Sequence, residues 1–246
     1  MKKEENEYIK YSIIVLIEFI TSTIYIFLRA GSVAISPLIG GSNILVIAFV
    51  TGFSIYAIHA TYLKYKTGYV NILIAIAYLF YDKKEKSNEW MMILIKIFFL
   101  FAAQLVGSII AALLVWGIIG DNGTHLGKPT IGSGLLFSQA LGYEILGTFI
   151  LITTSLISNA KYAGNPTYAL ITGLLDTTIV LVGIPISGAS LNYARHFGPT
   201  LISNSWVKTD WIYYVGPTIG ALVAWFFIWL FFAVEDKLSN NKHSKS

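Results

Sequence analysis

The chain has 246 residues, 55% of them hydrophobic and only 12% charged, a formal net charge of +4 and a mean hydropathy of +0.67. Soluble domains carry about 25% charged residues, so this composition excludes an ordinary soluble domain and indicates a polytopic membrane protein. The absence of cysteine excludes disulfides, thiolate catalysis and Cys-ligated metal. The basic balance sits on lysines in short connecting loops, which argues against a nucleic-acid partner.

Residues 1–10 carry charges of both signs and no small-residue cleavage site before the first apolar run. That run is therefore expected to be a retained helix and not a removed signal peptide. Six runs are long enough to span at about 20 residues each: Tyr11–Ala34, Asn43–Leu63, Met91–Gly117, Gly134–Ser158, Thr167–Ile184 and Trp211–Val234. Two more apolar pieces, Asn71–Tyr81 and Asn192–Ser203, are too short to span. Each follows a glycine closely and opens with Asn, a good N-cap. Short apolar pieces are commonly interfacial helices. Two of them, in the same place within each half of the chain, argue instead for re-entrant half-helices, with polar breaks that must be buried in protein or line water.

Lysines precede the first run (Lys2, Lys3, Lys10), lie between the second and third (Lys64, Lys66, Lys83, Lys84, Lys86) and between the fourth and fifth (Lys161), and follow the sixth (Lys237, Lys242, Lys245). A six-span path puts these on one face and leaves only Lys128 and Lys208 in loops on the other, so both termini are expected in the cytoplasm. Lys96, near the inner end of the third run, can snorkel. Ser239, Ser244 and Ser246 in the terminal stretch 235–246 are compatible with phosphorylation and equally with solvation.

The halves, about 11–117 and 134–234, repeat. Glu18-Phe19 matches Glu144-Ile145, and the stretch 104–116 matches 213–225, with identities at Val106/Val215, Gly107/Gly216, Ile110/Ile219, Ala112/Ala221, Leu113/Leu222 and Trp116/Trp225. Shared small residues also mark close helix packing. Three spans per half make the repeat inverted, which places the working site at the midplane where broken helices meet.

Asn71 and Asn192 would then bring two helix N-termini, with their partial positive charges and free N–H groups, to one point. Each side-chain oxygen can cap its own helix while the amide NH₂ faces the lumen. A passing water can only accept there, and the positive field opposes protons and cations.

The pair Glu18-Phe19, the stretch Gly142–Phe149, the words Ser187-Gly188-Ala189-Ser190-Leu191-Asn192, Ala194-Arg195 and Phe197-Gly198-Pro199, and the stretch Trp211–Ala221 occur in this order. Together they resemble the aquaporin, or major intrinsic protein, family over nearly the whole span from the first to the sixth run. The resemblance implies an all-α membrane fold of six spanning helices plus two re-entrant half-helices in inverted repeat, and a homotetramer with one pore per subunit. The family's Asn-Pro-Ala reads Asn71-Ile72-Leu73 and Asn192-Tyr193-Ala194 here. Proline at the first helical position presets φ, and in the family the two prolines stack across the midplane. Ile72 and Tyr193 have to rebuild that contact.

Arg195 matches the arginine of the family's outer constriction. A charge within a span is costly and usually functional, whereas Arg29 reads as an interfacial arginine at the outer end of the first run. The resemblance carries the other constriction positions to Thr51, Val180 and Ala189. None is aromatic and none is histidine, which suggests a wider filter passing water with glycerol, urea or ammonia. Against the glycerol class stand His196, where an Asp commonly follows the arginine, and Tyr213-Tyr214. Residues i and i+4 share a helix face, so Ile55 and His59 fall below Thr51, and Asp176 falls one turn from Val180, as possible pore-lining positions. His59 reads as a packed histidine or an inner-mouth titrating group. Asp176 reads as functional, as hydrogen-bonded to Thr172, Thr177 or a neighbouring helix, or as neutralised by burial. Glu18 and Glu144, symmetry-related, are expected to accept N–H groups of the re-entrant loops, since unpaired buried charge is costly.

No nucleophile–base pair, phosphate loop or metal-ligand spacing is present, so no enzyme, cofactor or metal site is expected. The expected function is a passive channel in the plasma membrane for water and small neutral solutes, surrounded by lipid and excluding ions. The rivals are a scaffold or junction protein of the same fold with a closed pore, and a proton-coupled transporter using Asp176 and Arg195.

Overall fold

The computed structural model describes residues 2–40, 43–62, 65, 67–81, 90–121 and 123–243. Leu63, the loop lysines Lys64, Lys66, Lys83, Lys84 and Lys86, and Ser244, Lys245 and Ser246 lie outside the described residues. The helices are α1 (Lys2–Ile35), α2 (Ile44–Tyr62), α3 (Ile72–Tyr81), α4 (Trp90–Ile118), α5 (Phe137–Tyr162), α6 (Pro166–Ser187), α7 (Tyr193–Ile202) and α8 (Ile212–His243). Six are long and apolar enough to cross a bilayer. The other two, α3 and α7, have 10 residues each, hence about 15 Å at the α-helical rise, half a hydrocarbon core. The helical ends reach further than the hydropathy limits: α1 already runs from Lys2 and α8 continues to His243.

Hydrophobicity is turned outward. Phe98, Trp116, Phe226 and Trp229 expose most of their surface, while Glu18, Ser22, Gln104, Glu144, Thr148 and Asp176 are buried. In α1 the buried polar residues Glu18, Ser22, Tyr25, Arg29 and Ser32 recur every three or four positions and form one inward stripe. Leu16, Ile20, Ile24 and Leu28 cover the opposite, exposed face.

The inverted repeat shows in the packing: α1 lies on α4, α5 on α8, and α2 crosses to α6 of the other half. The repeated glycines are contact points. A Cβ on Gly107 would stand 2.9 Å from the Phe19 carbonyl oxygen, and one on Gly216 would stand 2.7 Å from Glu144 Cβ. Small residues there let the paired helices approach closely enough to gain dispersion energy where lipid offers no hydrophobic drive.

The segment after α4 dips back into the bundle. Leu126 is buried at φ 53°, and a Cβ on Gly127 would collide with the Ala30 backbone of α1. The Lys128 ammonium, in a loop as expected, is buried between the Ser205 carbonyl at 2.6 Å and Asp210 at 2.8 Å.

Candidate functional site: the lumen between the half-helices

Two carboxylates hold the loops that precede α3 and α7. Glu18 accepts the N–H groups of Gly68, Tyr69 and Val70, the Thr67 hydroxyl and the Gln104 amide. Glu144 accepts the Ser187 hydroxyl and the Ser190 and Leu191 N–H groups. With their backbone donors satisfied in this way, both loops can leave regular structure at membrane depth. Their conformations are matched: Val70 (φ 50°) and Leu191 (φ 53°), each just before the Asn, are left-handed, a region costly for a β-branched residue.

Asn71 caps α3 by accepting Leu73 N–H at 3.1 Å, and Asn192 caps α7 by accepting Ala194 N–H at 3.0 Å. The amide groups then cross over. Asn71 Nδ2 donates to the Leu191 carbonyl and Asn192 Nδ2 to the Val70 carbonyl. An amide NH₂ has two hydrogens, so one remains on each Asn, and both residues line the central cavity. These crossed amides join the loops. Ile72 is buried in the central apolar cluster, while Tyr193, partly buried against it, turns toward α8 and hydrogen-bonds the Thr218 hydroxyl, with its ring near Tyr214 and Phe101.

Arg195 is 1% exposed; Nη2 donates to the Gly127 carbonyl at 2.6 Å, and Nε and Nη1 have no protein partner. Thr51, Val180 and Ala189 are fully buried, and Thr51 returns its hydroxyl to the Ile47 carbonyl. No aromatic stands at these positions, but Tyr143 of α5 reaches the same place. Its hydroxyl donates to the Ile179 carbonyl, and its ring packs with Val180 and Ala189 over Gly183. His196, next to Arg195, is fully buried with its ring stacked on Tyr213. An acid does come to it, from another segment: Asp210 Oδ1 is 3.3 Å from Nε2.

Below this level a narrow cavity of about 20 Å³ reaches past both asparagines, room for about one water. Ile55, His59 and Asp176 line it, together with Tyr25 and Arg29. His59 contacts the Thr172 hydroxyl through Nδ1 at 2.7 Å and stacks on Tyr168, so it is at once packed and lumen-facing. Asp176 accepts from the Tyr25 hydroxyl of α1 at 3.2 Å, a partner outside the threonines of its own helix.

Arg29 is corrected by the structure. It is 1% exposed and buried inside the bundle, not interfacial: Nη1 donates to the Tyr25 hydroxyl at 2.6 Å and Nη2 to the Ala189 carbonyl. The signal for Tyr25 and Arg29 was present in the sequence, since both continue the helical spacing of Glu18 and Ser22. Tyr143 had none beyond its position beside Glu144.

The chain matches the family model for the major intrinsic protein over residues 6–228. It is 31% identical to Aquaporin-5 of Homo sapiens over 213 residues, 85% of this chain and 77% of that protein. It is 29% identical to Probable aquaporin-5 of Gibberella zeae over 200 residues, 81% of this chain but 35% of that longer relative. Aquaporin TIP4-1 of Arabidopsis thaliana is 36% identical over 126 residues, about half of each chain. The X-ray structure of the aquaglyceroporin from Plasmodium falciparum superposes with a TM-score of 0.72 over 88% of this chain and 95% of that one, at 19% identity, and shares the fold. On the match over residues 6–228 and the six apolar spans, the chain belongs to the major intrinsic protein family, whose members are channels and not enzymes.

Proposed function

We propose that the chain is a passive pore for water and small neutral solutes that opposes protons and ions. The observation that carries this reading is the meeting of two capped helix N-termini whose asparagines each keep an N–H for the cavity. A water there accepts from both amides, which orients its lone pairs toward the centre and interrupts a proton-conducting chain of hydrogen bonds. The positive helix ends and the Arg195 guanidinium add a barrier to cations. Arg195 Nε and Nη1 are buried donors that a passing solute oxygen satisfies, and buried donors are costly to leave unmet.

The lysine distribution supports cytoplasmic termini and so an external mouth at Arg195. The family resemblance supports a homotetramer, and we place the channel in the plasma membrane. Stopped-flow shrinkage of proteoliposomes under an osmotic step tests the reading: accelerated water efflux over empty vesicles is expected, with no proton leak. Efflux equal to empty vesicles, from protein shown to be folded, overturns it. That result would support a second reading, a closed-pore scaffold, which the side-chain bridge between Tyr25 and Asp176 favours.

A further inference from the structure

α1 and α6 share no packed face, yet one chain of hydrogen bonds joins them. The Ala189 carbonyl, at the level of the outer ring, accepts from Arg29 Nη2; Arg29 Nη1 donates to the Tyr25 hydroxyl; that hydroxyl donates to Asp176. All three side chains line the same cavity as the asparagines. The chain of contacts therefore crosses the conduit between the ring and the asparagine pair.

We infer that Tyr25, Arg29 and Asp176 form a second polar constriction that sets the upper size of what the pore passes: water passes, and urea- and glycerol-sized solutes are held back. The inference rests on the channel reading and narrows its solute class. Thr51, Val180 and Ala189 are small, so the outer ring is narrowed only by Arg195 and by Tyr143 laid beside it, and Arg29 with Tyr25 adds a second bulky polar level just below. The cavity that these residues line is narrow, about 20 Å³ from Arg29 past the asparagines to His59, so a polar bridge across it leaves little width for urea or glycerol. The cation and the acid offset each other across the Tyr25 hydroxyl, so an ion of either sign gains little there, while a water can exchange hydrogen bonds with both. Asp176, reached through the Tyr25 hydroxyl, offsets the buried Arg29 guanidinium in the cavity wall.

The test compares the wild type, Tyr25→Phe and the charge-balanced double variant Arg29→Ser/Asp176→Ser in proteoliposomes, reading osmotic water flux and urea and glycerol uptake on each preparation. Tyr25→Phe keeps the aromatic packing and removes only the bridging hydroxyl, so it remains informative if the double variant misfolds. The wild type should accelerate water but leave urea and glycerol at the empty-vesicle rate. In the double variant urea uptake should rise by about tenfold or more, equivalent to ~1.4 kcal/mol off the barrier, in a preparation whose water flux still exceeds that of empty vesicles. Tyr25→Phe should give a smaller rise in the same direction. Wild-type urea or glycerol flux as fast as the double variant's overturns the inference, and so does a double variant that carries water but no more urea than the wild type. Absence of accelerated water flux in every preparation counts against the channel reading itself.

Discussion

Asn71 and Asn192 each donate to the backbone carbonyl immediately before the other, Asn71 Nδ2 to Leu191 at 2.7 Å and Asn192 Nδ2 to Val70 at 2.6 Å. Two loops from opposite halves of the chain are thereby tied to each other. The left-handed conformations of Val70 and Leu191 are part of the same device, since these two residues supply the carbonyls.

Asn192→Asp separates the cap from the tie. Aspartate caps a helix about as well as asparagine, so the Ala194 N–H keeps its acceptor. The donor to Val70 is lost and a carboxylate oxygen faces a carbonyl, which should cost about 1–3 kcal/mol. A lower melting temperature of the purified protein is the expected result. Because the two amides act in one contact, Asn71→Asp/Asn192→Asp should be non-additive; simply summed shifts would show that the ties are independent.

Glu18→Gln should be more damaging than Glu144→Gln. Glutamine offers one acceptor oxygen where glutamate offers two, and turns an NH₂ toward donors. Glu18 serves donors from three loop N–H groups, Thr67 and Gln104, whereas Glu144 serves Ser187, Ser190 and Leu191. Each donor orphaned in the interior costs about 1–3 kcal/mol. Melting temperature and folded yield after extraction check the order; a larger loss for Glu144→Gln would contradict it.

Gly216→Ala should destabilise by about 1–3 kcal/mol, the usual range for overpacking, because its methyl would meet Glu144 Cβ at 2.7 Å. Gly142→Ala, with nothing within 4 Å of the new Cβ, should be neutral or gain up to about 1 kcal/mol in helix propensity. Paired thermal melts of the two variants distinguish a contact effect from a general intolerance of alanine.

Lys128→Met should remove an acid-sensitive part of the stability. Burial works against the Asp210 carboxylate, but the Lys128 ammonium at 2.8 Å and the Val207 N–H at 2.9 Å outweigh it and hold the carboxyl below its usual value. A carboxylate with a lowered folded pKa contributes stability that is complete above its unfolded value and is lost as pH falls through the folded one. The variant should therefore be less stable than wild type at pH 7. The gap should narrow below about pH 4, the unfolded carboxylate range. Melting curves across that range give the answer, and a gap independent of pH would assign the loss to packing alone.

The helical elements and their repeat were legible in the amino-acid order. Runs of about 20 apolar residues match the length of a bilayer span, and Asn71 and Asn192 announced both half-helices because a cap is a local event within one turn. Glu18, Glu144 and Arg195 were legible for a related reason: a charge within a span has to find partners inside the protein. The partners themselves were not legible. Tyr25 and Asp176 are far apart in the chain and on helices that do not pack together, so their hydrogen bond exists only once the other helices fix the width of the lumen. Arg29, read from the sequence as interfacial, lies on the buried polar stripe of α1, and its docking on the Ala189 carbonyl depends on a loop that Glu144 holds in place. The tertiary structure likewise brought Asp210 to Lys128 and His196, and laid Tyr143 against Val180 and Ala189. Periodicity assigns a side chain to a face of its own helix; what that face meets is decided by the packing of elements remote in sequence.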